Sequence, residues 1–335
     1  SKAGERGIFS RIAAQKIAAR NGRRDSGQDF GTNPCSEIIL RSNQFCNLSE
    51  IVVRADDTLA SLKKKSEIAA IIGTLQATLT DFRYLRNCWK KNTEEEALLG
   101  VSMTGIMDHR VLSGAEPEEL GKYLEGIRDV AVKTNKEWAA KLGINQSAAI
   151  TCVKPSGTVS QLVDSASGIH PRFSQYYIRR VRSDKKDPLA VFMQEKGFPV
   201  EQDVMSPSSS VFSFPVAAPK ESVTVADVGA MQQLELWKAY QNHWCEHKPS
   251  ITVYYTDDEF LEVAQWIWNN FDLCSGISLL PVSDHVYQQA PYEDINKAQY
   301  KELLSSMPVD VNWEDLGMFE KEDNKTGSQE LACTG

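Results

Sequence analysis

Apolar residues recur at helical spacing in two long stretches of the chain. From Asp57 to Phe82 the positions Leu59, Leu62, Ile68, Ile71, Ile72, Leu75, Leu79 and Phe82 fall on one side, with Lys63, Lys64 and Lys65 between them, which predicts an amphipathic helix with a solvated basic patch. Pro117 to Leu142 repeats the pattern through Leu120, Leu124, Ile127, Val130, Trp138 and Leu142, and Gly143 is its stop. A third helix is predicted over Val225 to Trp244. A fourth opens on the capping box Thr256-Asp257-Asp258-Glu259 and runs through Ile267, with Trp266 and Trp268 read as packing residues. Strands are predicted at Ile150–Val153, Val211–Val216, Ser250–Tyr255 and Ile277–Leu280, and their alternation with helices indicates an α/β arrangement. Arg182 to Asp187, closed by Pro188, and Ser206 to Ser210 read as loops. The acidic stretch from Glu320 to Gln329 reads as a flexible tail. No internal repeat is visible.

Composition narrows the class of molecule. At 335 residues, 41% hydrophobic and 24% charged, the chain has enough material for one large or two medium globular domains. No apolar run approaches the roughly 20 residues of a membrane helix, and no signal segment opens the chain, so a cytoplasmic protein without a membrane partner is expected. Seven cysteines without CxxC pairs point to reduced thiols. A net charge of −8 disfavours general nucleic-acid binding. His243 and His247, at i and i+4, lack further ligands at zinc spacing and read as ordinary helix surface, so no metal site is expected.

The densest chemistry lies in Gly31-Thr32-Asn33-Pro34-Cys35-Ser36-Glu37-Ile38, followed by Cys46. Pro34 fixes its own φ and pushes Asn33 towards an extended conformation, so Asn33, Cys35 and Glu37 are expected at alternate positions of an extended tip, pointing the same way. A carboxylate neighbour disfavours a thiolate nucleophile, whereas one-electron chemistry at sulfur needs no thiolate. Cys46, eleven residues after Cys35, suits a strand running back from the tip and one half of a redox pair. The plain alternative is that both cysteines are small buried hydrophobes. A second cluster, Ser156, Gly157, Thr158 and Ser160, follows a short strand and precedes Gln161-Leu162-Val163, where hydroxyls and free N–H groups could hold a polyphosphate. Lys154 and Arg172 could add charge there.

Asn33-Pro34-Cys35-Ser36-Glu37-Ile38 with Cys46-Asn47-Leu48-Ser49 resembles the finger loop of ribonucleotide reductases. Lys154-Pro155-Ser156-Gly157-Thr158-Val159-Ser160 resembles that family's substrate-phosphate loop. Ser167-Gly168-Ile169-His170-Pro171 with Tyr176-Tyr177-Ile178-Arg179-Arg180 resembles the segment after it in the monomeric, class II-like branch. Weaker echoes are Gly4-Glu5-Arg6-Gly7-Ile8-Phe9, Val101-Ser102-Met103-Thr104-Gly105, Gly276-Ile277-Ser278-Leu279-Leu280-Pro281 and Leu331-Ala332-Cys333-Thr334-Gly335.

The resemblance implies a ten-stranded α/β barrel with a central finger loop, this chain carrying the loop and the second half-barrel. Residues 1–55 would be the finger-loop region, 56–318 the half-barrel with the phosphate loop, and 319–335 a redox tail. By this resemblance the first half-barrel and the upstream partner of Cys46 would lie before Ser1, the chain reading as the C-terminal piece of a larger or split enzyme. The implied reaction reduces a ribonucleoside di- or triphosphate to the deoxyribonucleotide. A Cys35 thiyl radical takes the 3′ hydrogen atom, Glu37 removes the 3′-hydroxyl proton, Asn33 holds the sugar, and Cys46 with an upstream cysteine supplies reducing equivalents. Cys333 resembles a tail cysteine that re-reduces this pair for thioredoxin or glutaredoxin. Tyr254-Tyr255 resembles the dyad through which class I enzymes receive a radical from a metal-bearing small subunit, and its combination with a class II-like pattern resembles a phage lineage of class I large subunits derived from class II. The favoured reading is therefore a radical from that partner with no cofactor bound to this chain. The alternatives are an adenosylcobalamin-dependent class II enzyme and a catalytically silent nucleotide-binding half.

Overall fold

Four parallel strands and a bridging segment between them position the chemistry of the larger of two units. The structure, a computed structural model, describes residues 7–282 and 288–320. One unit comprises residues 1–172 with 221–282, the other 173–220 with 283–335. In the first, Asn47–Val52 pairs in parallel with Leu99–Thr104. Residues 150–153 extend the series through isolated parallel pairings, Val101 with Thr151 and Val153 with Pro249. Thr252–Tyr255 then pairs in parallel with Ile277–Pro281, whose other edge takes Gly7–Ile8 antiparallel. The helices Leu59–Gln76, Asn87–Glu96, Pro117–Leu142, Ala230–His243 and Phe260–Asn269 lie in the chain between successive strands. All six residues of Leu99–Thr104 are buried, as expected for a parallel strand covered on both faces.

One apolar cluster joins these elements, with Leu62, Leu124, Ile127, Val101, Met103, Val253, Trp237 and Tyr240 among its members. The large aromatics bring polar tips that are satisfied inside it: Trp237 Nε1 donates to Pro249 O at 2.9 Å and the Tyr240 hydroxyl to Leu112 O at 2.9 Å. The helix predicted over Pro117–Leu142 is observed with those bounds, closed by Gly143 in the left-handed region. Asp57–Phe82 contracts to Leu59–Gln76, capped by Thr58. The expected Val225–Trp244 helix divides into a 3-10 turn, Val225–Asp227, and the α-helix Ala230–His243. The Thr256 capping box is present, with Thr256 N–H donating to Glu259 Oε2 at 2.9 Å. Trp266 packs edge-on against Trp237, ring centroids 6.2 Å apart, but Trp268 is 80% exposed. Residues two apart on a helix cannot share a face, so the expectation of packing fails for Trp268.

The smaller unit carries an antiparallel sheet in the order Tyr292–Asp294, Tyr176–Asp184, Ser209–Ala217, Val200–Gln202. Its core gathers Ala190, Phe192, Met193 and Phe212. Both predicted loops here are partly strand: Arg182–Asp184 ends one and Ser209 begins the next, paired with Asp184. Of the expected tail only Glu320 is described. Among the described residues no helix is long and apolar enough to cross a membrane.

Candidate active site

The strands Phe30–Thr32 and Ile39–Arg41 form a hairpin that holds residues 33–38 at its closed end. Helix Arg11–Ala19 supports it, packing Ala14, Ile17 and Ala18 against Phe30 and Ile39. Buried Arg24 grips it from another side, donating to Ile39 O at 2.9 Å while pairing with Glu96 at 2.9 Å. At the tip, Ser36 N–H donates to Asn33 O at 2.9 Å and Ile38 N–H to Asn33 Oδ1 at 3.0 Å. Ser36 takes a φ of +70°. These bonds close a turn and break the alternation expected of an extended tip. Cys35 is exposed, Glu37 is completely buried, and the Asn33 side-chain carbonyl is engaged by the loop itself.

Buried carboxylate and ammonium groups surround that turn. Lys154 Nζ lies 3.5 Å from Glu37 Oε1, while Glu37 Oε2 is buried without a hydrogen-bond partner. Burial works against the charge on Lys154, but Glu37 and Cys35 outweigh it and raise its pKa. Lys248 is fully buried and donates from Nζ to Ser36 Oγ at 2.5 Å. Burial pushes its ammonium down to about 7, opposed by Glu37 and Cys245. Beyond Lys154, Glu50 accepts from Ser156 Oγ at 2.8 Å and is raised above the usual carboxylate range, first by burial. Cys46 is half-buried and its thiol is pushed up by burial, with Arg24 opposing and Glu37 adding. Cys152 is also buried and pushed up, with Glu37 and Cys46 acting on it after burial. Raised thiol pKa values keep both protonated at neutral pH.

The Lys154–Ser160 segment leads into a single helical turn, Val159–Leu162. Ser156, at φ +59°, and Ser160 are buried, Gly157 is half-buried and Thr158 exposed. Among the described residues the N–H groups of Gly157, Thr158 and Val159 have no hydrogen-bond partner. The following segment packs under the loop. Ser167 Oγ donates to Pro155 O at 2.6 Å, and a Cβ on Gly168, at φ +54°, would lie 2.4 Å from Lys154 O. Arg172 does not supplement this loop: it is buried, donating from Nε and Nη2 to Asp108 at 3.0 Å and from Nη1 to Asp164 at 3.0 Å.

Other expected residues stand apart from this centre or from one another. Tyr254 and Tyr255 are successive residues of one strand and point to opposite faces. Tyr255 is buried in the core beside Phe260, and Tyr254 is half-buried. His243 meets Glu125 at 2.9 Å on the surface, whereas His247 is fully buried beyond the helix end, accepting from Ile39 N–H at Nδ1 and donating from Nε2 to Leu99 O. Burial pushes His247 down to about 3, so the reading as helix surface holds for His243 alone. Among the described residues no group of three His, Cys, Asp or Glu could hold a metal ion. Cys333 lies outside the described residues. Sequence reasoning passed over Lys248, Glu50 and Cys152. For Lys248 the signal was a lysine directly ahead of an apolar strand, and for Glu50 a carboxylate four residues after Cys46.

No protein-family profile matches the sequence. Among curated proteins, the chain is 30% identical over 311 residues to an adenosylcobalamin-dependent ribonucleoside-triphosphate reductase of Lactobacillus helveticus, covering 84% of this chain and 41% of that protein. Its counterpart of the same name in Lactobacillus gasseri is 31% identical, with 82% and 40% covered. The Euglena gracilis protein of that name is 30% identical, with 92% and 42% covered. This chain thus spans about two fifths of the length of these relatives. Among solved structures, a B-12-dependent class II ribonucleotide reductase superposes with a TM-score of 0.72 at 24% identity, over 88% of this chain and 44% of that one. The class Id alpha subunit of Actinobacillus ureae superposes with a TM-score of 0.56 at 14% identity, over 84% and 59%. These likenesses establish a shared α/β fold.

Proposed function

This chain is a relative of the ribonucleotide reductase catalytic subunits, and from that premise we propose that it carries the thiyl-radical centre of an enzyme reducing ribonucleotides to deoxyribonucleotides. The observation that carries the reading is the tip turn. Within three residues it offers an exposed thiol, Cys35, and a buried carboxylate, Glu37, whose Oε2 is unpartnered. A thiyl radical at Cys35 would take the 3′ hydrogen atom of the sugar, and Glu37 Oε2 would accept the 3′-hydroxyl proton. Lys154 takes the other oxygen, Oε1, at 3.5 Å and leaves Oε2 for that task. Asn33 would contribute its amide N–H to the sugar, its carbonyl being engaged by Ile38. Replacement of the 2′-hydroxyl by hydrogen, with water leaving, draws two electrons and two protons from the thiols of Cys46 and a cysteine outside this chain, which close to a disulfide, and Cys35 returns its hydrogen atom to the 3′ carbon. A protonated Cys46 suits that donation. Thioredoxin or glutaredoxin, acting through Cys333, would restore the thiols.

The free N–H groups of Gly157, Thr158 and Val159 would receive the substrate phosphates, and the relatives' names favour a triphosphate. The four parallel strands with the bridging segment 150–153 would be one half of a ten-stranded barrel. For the radical source, the relatives favour adenosylcobalamin over delivery from a small subunit through Tyr254 and Tyr255. Cys35 is open to such a group, which when bound would supply the initiating radical. A cavity of about 490 Å³ beside Ile68, Ile72 and Glu50 lies along the strand Asn47–Val52, and none of its lining residues belongs to the tip turn. The test is deoxyribonucleotide formation by this chain completed with the remainder of the catalytic subunit, a dithiol and each radical source in turn. Cys35→Ser should abolish product without unfolding the protein, and turnover by that variant would defeat the radical assignment.

A further inference from the structure

We propose that Lys248 is a positioning residue that locks the tip turn, and that Gly276 is glycine in order to house its ammonium group. Three hydrogen bonds from residues 248–250 reach three successive residues of the turn. Ser250 Oγ donates to Cys35 O at 2.7 Å, Lys248 Nζ to Ser36 Oγ at 2.5 Å, and Lys248 N–H to Glu37 O at 3.3 Å. Lys248 is itself tied to the neighbouring strand segment, its carbonyl accepting from Val153 N–H at 3.2 Å. The Nζ atom sits where a side chain of residue 276 would begin: a Cβ there would lie 2.1 Å from Nζ and 2.9 Å from Ser36 Oγ. The φ of Gly276 is outside the left-handed region, so the space and not the backbone calls for glycine.

An ammonium buried without a carboxylate in ion-pair contact opposes folding, and an aliphatic chain of the same length would fill the site without that penalty. What the aliphatic chain lacks is the donor to Ser36, a residue held at a positive φ. Lys248 therefore fixes the register of the turn between its exposed thiol and its buried carboxylate. Its catalytic consequence rests on the function proposed above; the clamp itself does not.

The test uses the full chain and the variants Lys248→Met, Ser36→Ala, Gly276→Ala and Lys248→Met with Gly276→Ala. Amide hydrogen exchange is read on the peptide covering residues 33–38, with the peptide covering 176–184 as internal control. Read at about pH 6, where Lys248 holds its proton, loss of a hydrogen bond to a charged donor should speed exchange at the tip by about tenfold or more. Ser36→Ala should match Lys248→Met, and it carries the test if the latter fails to fold. Gly276→Ala should reproduce the effect alone and add less than about twofold once Lys248 is Met, because the two changes act on one contact. In the completed enzyme kcat should fall while KM holds, since the phosphate loop is untouched. Unchanged exchange in Ser36→Ala and Lys248→Met would overturn the clamp, and additive effects would overturn the assignment of Gly276. Faster exchange with full kcat would overturn the positioning role. A wild type without activity whose variants still exchange faster supports the clamp and defeats only the functional reading.

Discussion

Replacing Lys248 by methionine should change how stability responds to pH. The ammonium is fully buried, and burial brings its pKa from 10.5 to about 7 against the opposing charges of Glu37 and Cys245. Between those values the unfolded chain holds a proton that the folded chain has released. Stability therefore rises with pH through that window, and the dependence vanishes below the folded-state value, where both states are charged. Each pH unit inside the window corresponds to about 1.4 kcal/mol. Relative to Lys248→Met, the wild type should gain about 2 kcal/mol between about pH 7.5 and 9. The interval stops short of the unfolded-state value because the gain levels off once the unfolded lysine itself begins to lose its proton. Methionine keeps the length and apolar volume of the lysine stem, so packing contributes a pH-independent offset. Urea unfolding followed by the emission of Trp237, Trp244 and Trp266, all buried in the larger unit, gives the free energies. A difference between the two proteins that stays flat or falls across the interval would refute the reasoning.

Two further outcomes are expected. Tyr254→Phe and Tyr255→Phe should both leave reduction with adenosylcobalamin intact, because the rings that pack are retained while only the phenolic hydroxyl is lost; collapse of activity in both, measured with a metal-loaded small subunit as radical source, would restore the relay reading. Glu96→Gln should destabilise the larger unit by about 3–5 kcal/mol in urea unfolding, because it strands the buried Arg24 guanidinium, and a loss below about 1 kcal/mol would show that Arg24 finds another partner.

What the sequence disclosed depended on whether a residue's partners lie nearby in the chain. Pro117–Leu142 was legible because one face of the helix is buried and the other wet, which writes the period into the residues. Leu99–Thr104 was not, because both faces are covered and Leu-Gly-Val-Ser-Met-Thr has no alternation to read. The Cys35 motif was visible as a motif, yet its geometry was misjudged. Pro34 argued for extension at Asn33, whereas Ser36 in the left-handed region closes a turn instead. Arg172 is a candidate for charge at the phosphate loop in the sequence but is spent on Asp108 in the structure, and Lys248 gives no hint of Ser36, which is 212 positions away.

That separation has a kinetic consequence. Because neighbouring strands in the larger unit run parallel, every link of the site spans a long loop: 117 positions from Glu37 to Lys154, 106 from Glu50 to Ser156 and 215 from Cys35 to Ser250. Closing such loops is entropically unfavourable before any contact rewards it, and chains rich in distant pairings fold slowly for that reason. The hairpin Phe30–Thr32 with Ile39–Arg41 can zip locally and early, but its tip has nothing to hold it until Lys248 and Ser250 arrive from the far end of the unit. A nascent chain thus displays its most reactive thiol long before it owns the surroundings that give that thiol a purpose.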